Sequence, residues 1–192
     1  MLSLDDLAAL LADLESDRIE RPRSTTDTDQ FAQAVCAFSN DLPHGRRPGY
    51  LVIGVGEDGL PIGHRVTDQL LQSLAALRSD GNILPQPVLV VQKMTLPGGE
   101  VAVVEVQPSD LPPVRYKGRI WIRAGPRRAS ANEQEERILA ERRVATARTF
   151  DALPSLDATL VDLSQERFVL VYRRKAVAEE VIAQNERALP LQ

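Results

Sequence analysis

The sequence predicts an α+β fold: a mixed sheet of hairpins packed with three to four helices, plus a helical C-terminal extension. Three observations predict it. Apolar residues recur at helical spacing in several separated segments. Apolar β-forming runs are bounded by turn residues at Asp58-Gly59, Pro97-Gly98-Gly99 and Gly118. The helices and hairpins do not alternate as a parallel α/β chain would.

The elements can be justified in order. Over residues 3–14, Ser3 stands as N-cap, and Leu4, Leu7, Leu10, Leu11 and Leu14 make one stripe. Ile19 suggests a brief strand that Pro22 limits. In "TTDTDQFAQAVCAFSN", Asp27 and Gln30 have capping-box spacing, and Phe31, Ala34, Val35 and Phe38 form the buried stripe of a second helix. "LPHGRRPG" is a loop. Tyr50 to Val55 is an apolar strand, and Asp58-Gly59 is a hairpin signal that predicts a second strand before His64. "TDQLLQSLAALRS" is a third helix capped by Thr67, with Leu70, Leu71, Leu74 and Leu77 inward. "PVLVVQKMTL" and "EVAVVEVQP" form a hairpin. "VRYKGRIWIRAG" reads as two short strands about Gly118. "ASANEQEERILAERR" is a polar helix with capping-box spacing at Ser130 and Glu133. Beyond Phe150 the pattern turns loop-like and then helical. The boundary is placed at 148, with 1–148 as the main domain and 149–192 as the extension.

The bulk numbers agree. The 192 residues suit one ordinary domain with a small appendage, and 43% hydrophobic with 26% charged residues supports a packed core. No apolar run approaches the roughly 18 residues of a membrane span. The acidic N-terminal helix lacks the basic start of a signal peptide. One cysteine, Cys36, permits no internal disulfide and no CxxC site, so a reducing, cytoplasmic setting is expected. A net charge of −4 and a pI near 5.3 exclude a globally basic nucleic-acid binder but not a local basic patch.

"GVGEDG" at 54–59 fits the G-x-G-x-x-G spacing of a dinucleotide loop. That loop must open a helix whose N-terminus holds the pyrophosphate. Here Leu60-Pro61-Ile62-Gly63 follows, so the match lacks its structural context. No Walker A loop exists either, and no ATPase is expected. His44 and His64 lack a zinc-site spacing. Cys36, mid-helix among apolar residues, reads as a small core residue.

Two residue sets could carry chemistry. Glu15, Glu20 and Asp58 would bind Mg²⁺ or Mn²⁺ if the fold gathered them, because hard cations take oxygen ligands. Alternatively, Glu15 is a solvated helix-end residue and Asp58 an ordinary turn residue. The second set is basic: Arg115, Lys117, Arg119, Arg123, Arg127 and Arg128, with no acidic residue among them. Alternation along a strand puts 115, 117 and 119 on one face, with Tyr116, Ile120 and Ile122 inward. Such a row suits phosphates. It could equally be a solvated face balanced by the acidic helix that follows.

Glu20, "FAQAVCAFSND", "YLVIGVGEDGLPIG" and "RYKGRIWIRAGPRRASANEQEERIL" occur in the order seen in the Schlafen-type AlbA-like domain. The chain resembles that family over about residues 10 to 143. The domain was once described as divergent AAA-like, and it is common in bacterial DNA-binding and transcriptional-regulator proteins. The resemblance implies an α+β fold and a nucleic-acid partner, DNA or RNA. It also implies a possible metal-dependent endoribonuclease, in which Glu15, Glu20 and Asp58 match the family's Glu, four residues, Glu, and later Asp, and the basic run holds the substrate. Nuclease members pair two lobes to make a groove, so one lobe would form a homodimer. The chain departs from the pattern where Arg21-Pro22 replaces Phe-Lys and where a longer loop, "DLPHGRRPG", precedes the strand. The C-terminal segment resembles an extension that continues in longer relatives, which leaves open that this chain is part of a longer protein.

Three functions follow as expectations: a nucleic-acid-binding module of the regulator type, a divalent-metal endoribonuclease, or a protein-interaction domain carried by the polar helix and the C-terminal helices. Aromatic residues are only 4% of the chain, and no stacking motif separates DNA from RNA.

Overall fold

The computed structural model describes residues 2–13 and 15–146, with positions 164, 167 and 171 beyond them. The chain divides into two compact units, Met1–Ala147 and Arg148–Gln192. The predicted helical extension over 149–192 falls, those isolated positions apart, outside the described residues, as does Leu14.

Local sequence sets the helices. In α1 (Leu4–Ala12), the Ser3 hydroxyl accepts the Asp6 N–H, and the Asp6 carboxylate accepts the Ser3 N–H in return. In α2 (Thr28–Asn40), Asp27 caps the first turn through the Gln30 N–H at 3.0 Å. Thr67 does the same for α3 (Asp68–Ala76) through the Leu70 N–H. The fourth helix, α4 (Glu133–Thr146), begins later than the sequence predicts. The preceding residues, Arg127–Ser130, form a strand instead, and reciprocal bonds between Asn132 and Glu135 close the first turn of α4. Ser130 is held by strand pairing, so the expected box with Glu133 does not form.

The strands are β1 (Ile19–Glu20), β2 (Gly49–Ile53), β3 (Ile83–Leu84), β4 (Leu89–Leu96), β5 (Gly99–Val106), β6 (Arg115–Tyr116), β7 (Trp121–Ala124) and β8 (Arg127–Ser130). The main sheet runs β1-β2-β5-β4, with β1 parallel to β2 and the other pairs antiparallel. Two small ladders, β3-β6 and β7-β8, complete the mixed architecture. The fold is α+β. The strands about Gly118 therefore find partners elsewhere, and only a Tyr116–Arg119 bridge joins them across the turn.

Strand β2 is buried throughout, because the sheet is covered on both faces. Leu51, Ile53, Ala102, Val104 and Val106 pack with Phe31, Val35 and Phe38 of α2 and Leu74 of α3. Tyr50, Val52, Val101 and Val103 pack with Leu7 and Leu11 of α1 on the other side. Gly49 lets α2 sit close, since a Cβ there would overlap the Phe38 ring. A third cluster joins Ile120 and Ile122 to Leu139 of α4. Among the described residues, no helix is long and apolar enough to cross a membrane.

The "GVGEDG" segment is a turn, not a nucleotide loop. The Gly56 N–H donates to Leu60 O and Val55 pairs with Pro61. No helix follows until Asp68. Gly59 has φ +78°, and a Cβ there would overlap the Leu11 carbonyl oxygen of α1. The glycine serves a left-handed turn and a close helix contact.

Candidate nucleic-acid interface

Sequence reasoning offered three carboxylates, and the structure gives each a different setting. Glu15 is exposed, and its N–H donates to Asp13 Oδ1. Asp58 is exposed, and its Oδ1 accepts the Leu60 N–H at 3.0 Å, an ordinary turn contact. Glu20 is different. Its Oε2 accepts a bond from Arg123 Nη1 and its Oε1 one from Arg128 Nη1 at 3.0 Å. Its side chain is 14% exposed, against 4% for Arg123 and 16% for Arg128.

Arg123 was expected on the nucleic-acid face, and it is instead part of the interior. Beyond Glu20, its guanidinium donates to the carbonyls of Asp17, Ile19 and Pro126 and lies over the Phe38 ring. Strand alternation explains this. Ile120 and Ile122 face α4, so Trp121 and Arg123 face α2, and β7 is covered on both sides. Burial works against the charge of Arg123, and the Glu20 carboxylate opposes that effect. Arg128 also donates to Gln30 O and lies over the Trp121 ring. The two arginines thus clamp β1 and α2 to the β7-β8 ladder.

This arrangement tests the implied metal. A divalent cation needs open carboxylate oxygens, and both oxygens of Glu20 face guanidinium groups. A dication there would also face two cations. Among the described residues, no group of three or more His, Cys, Asp or Glu side chains could hold a metal ion. Glu15, Glu20 and Asp58 as placed do not fit Mg²⁺ or Mn²⁺. Arg21, which stands at the family's aromatic position, donates to the Leu11 carbonyl at 3.0 Å, while Arg23 pairs with Glu57 on the surface.

The rest of the basic run is exposed. Tyr116 and Arg119 exchange backbone bonds of 2.8 and 3.0 Å around Lys117 and Gly118. Both central residues are left-handed, at φ +47° and +78°, as a type I′ turn requires. A lysine is an uncommon choice there. Lys117 Nζ lies 2.9 Å from Asp29 Oδ1, which also accepts the Tyr116 hydroxyl at 2.5 Å. The Tyr116 hydroxyl, followed by the Lys117 ammonium, holds the Asp29 carboxyl below the usual carboxylate range. Asp29 in turn raises Lys117. Arg115 faces Glu136 of α4 at 3.7 Å. Arg119 and Arg127 are exposed, with no side-chain partner among the described residues.

Asp29 and Asn40 were not singled out by the sequence. Asn40 is 2% exposed, and its amide bonds Val114 O, Val114 N and Trp121 O at 2.7 to 2.9 Å. It fixes the start of the basic run to α2. A capping-type acid and a helix-end asparagine carry no signal of such distant partners.

The family model described as "Schlafen, AlbA_2" matches residues 15–132, more than half of the chain. The chain belongs to this family. That link joins it to nucleic-acid-associated modules. Among solved structures, it is similar to the N-terminal domain of a RecG-related protein from Nitrosomonas europaea, at 28% identity, covering 57% of this chain and 76% of that one, with a TM-score of 0.46. It is also similar to the DIP2311 protein from Corynebacterium diphtheriae, at 18% identity and a TM-score of 0.49, covering 95% of this chain and 38% of that one. A search of curated proteins finds no match.

Proposed function

We propose that this Schlafen AlbA_2 chain is a nucleic-acid-binding module that holds phosphates without cutting the strand, acting as a DNA-binding regulator. The observation that supports this reading is the β6 turn. It presents Arg115, Lys117 and Arg119 at the surface, and Arg119 has no carboxylate partner among the described residues. Phosphates would displace water and counterions there at little structural cost, since the turn is already fixed by its own backbone bonds. Arg127, exposed at the start of β8, adds a second cation with no partner among the described residues. Arg123 and Arg128 support the surface from beneath rather than touching the ligand. One lobe offers a small basic surface, and a two-fold pair of chains would double it.

The test is binding by fluorescence anisotropy to labelled duplex DNA and single-stranded RNA across a salt series. Each phosphate contact contributes about 0.9 to the slope of log K against log salt on duplex DNA. Arg119→Ala is expected to lower that slope by about 1 and to weaken all sequences alike. Arg119→Glu with Arg127→Glu is expected to abolish binding. Unchanged affinity and slope in both variants would sink the proposal. Incubation with Mn²⁺ or EDTA, resolved on a gel, is expected to leave the strands intact, and Mn²⁺-dependent cutting would turn the assignment to the nuclease.

A further inference from the structure

We infer that a cleft between the beginnings of α2 and α3 takes one unpaired nucleotide of a bound strand, which rests on and deepens the proposed binding function. The cleft has a volume of about 330 Å³, at the lower end of the range for small-ligand sites. Phe31 and Leu70 give it an apolar part, and Thr28, Thr67, His64 and Arg65 are among the polar residues lining it. That combination suits a base lying against carbon with its polar edge on hydroxyls, and a phosphate beside a guanidinium.

The polar groups are available. Neither the His64 ring nor the Arg65 guanidinium has a hydrogen-bond partner among the described residues. Glu100, the carboxylate that feels the charge of Arg65, is already held by Lys93 at 2.6 Å and by the Val66 N–H. Asp27 is committed to the Gln30 N–H. Asp29 is committed to Tyr116 and Lys117. Asp68 is exposed and does not line the cleft.

The cleft and the contact that holds the basic turn meet at neighbouring residues of α2. Thr28 lines it, and the next residue, Asp29, carries Lys117. A strand whose phosphates follow Arg119 and Lys117 passes the mouth of the cleft. An unpaired strand can splay a base into it, whereas a duplex would have to break a pair first. The cleft therefore separates single-stranded from duplex ligands, a distinction the cations alone do not make.

The experiment uses the full chain, a labelled 12-nucleotide single-stranded RNA, a duplex DNA of equal length, and AMP as a free nucleotide. Arg65→Gln and Thr28→Val both alter surface or cleft groups outside the core, and circular dichroism checks that each folds. Arg65→Gln is expected to weaken single-strand binding about tenfold. Thr28→Val is expected to weaken it about threefold to fivefold. Duplex affinity is expected to stay unchanged in both. If both variants bind the single strand as wild type while Arg119→Glu loses it, the cleft inference is overturned and the proposed function stands. If the wild type binds no nucleic acid, both fall. AMP binding more tightly than the strand would make the cleft a free-nucleotide site and overturn the strand assignment.

Discussion

Removing the Glu20 carboxylate is the sharpest test of the clamp. In Glu20→Gln the buried Arg123 keeps its three carbonyl partners but loses its charge partner, and Arg128 loses its own. Breaking a buried ion pair by deleting one member costs about 3–5 kcal/mol, because a charge is left uncompensated. The lower end applies here, since carbonyl oxygens still solvate Arg123 and Glu20 is 14% exposed. A loss of about 3 kcal/mol corresponds to a Tm lower by roughly 6 to 12 °C for a chain of this size. The assay is thermal unfolding followed by circular dichroism at pH 7, with Glu15→Gln as the control. Glu15 is exposed, and its variant is expected within about 0.5 kcal/mol of wild type. Replacing both Glu20 and Arg123 by methionine is expected to recover only part of the loss, because Arg128 still lacks its carboxylate and the Asp17, Ile19 and Pro126 carbonyls lose their donor. A Glu20→Gln protein as stable as wild type would refute the clamp. So would Mn²⁺ that raises the Tm of the wild type but not of the variant, since a ligand that binds only the folded protein stabilises it by mass action.

Other expectations follow from the same structure. Asp29→Asn releases Lys117 and removes one negative charge beside the basic turn, so nucleic-acid affinity is expected to rise; a fall would show that the carboxylate positions the lysine for contact. Because the Asp29 pKa is lowered by folding, its stabilising effect is present above the ordinary carboxylate range and is lost as pH falls through the depressed value; the partner shift of Lys117 is upward, so its effect is lost only as pH rises past the ordinary lysine range. NMR titration of the Asp29 carboxyl checks this, and a midpoint at or above the ordinary value of about 3.9 would refute it. Gly59→Ala is expected to cost about 1–3 kcal/mol through its left-handed φ and its contact with α1, read by urea unfolding, with unchanged stability counting against the turn geometry. Burial pushes the Cys36 thiol up to about 11. At pH 8 it is expected to resist iodoacetamide in the folded chain and to react once urea unfolds it; fast labelling of the native protein would contradict its burial.

The helices were legible because their signals are local. Ser3, Asp27 and Thr67 sit one residue before a turn they cap, and the apolar stripes follow within a few residues. The long β4-β5 hairpin was legible for the same reason. The short strands were not. Ile83–Leu84 and Arg127–Ser130 have little periodicity of their own; the first pairs with the distant Arg115–Tyr116, and the second closes a hairpin on Trp121–Ala124 from a polar segment that reads as helix. The candidate site divides along the same line. Arg115, Lys117 and Arg119 are exposed as expected, but Lys117 and Arg119 are so because they lie on a tight turn after β6, not because a strand alternates there. Arg123 obeys alternation, but the face it occupies is covered by α2, and only tertiary packing decides that. In sequence, a buried arginine and a surface arginine look alike, and so do a metal-ligating glutamate and one that holds two guanidinium groups.

The clamp has a consequence for the order in which the chain can acquire its structure. Glu20 and Arg128 are separated by 108 residues, and Asp17 and Arg123 by 106. During synthesis the N-terminal strand emerges long before either arginine. Until then β1 offers only two residues of pairing to β2, and the Glu20 carboxylate remains hydrated. The closing event waits until β8 has left the ribosome. Contacts of such high sequence separation form slowly, because the intervening chain must first be brought together. A nascent chain stalled before residue 123 would expose the β1 edge of a sheet whose other strands are already present, a surface on which a chaperone or a second nascent chain can act.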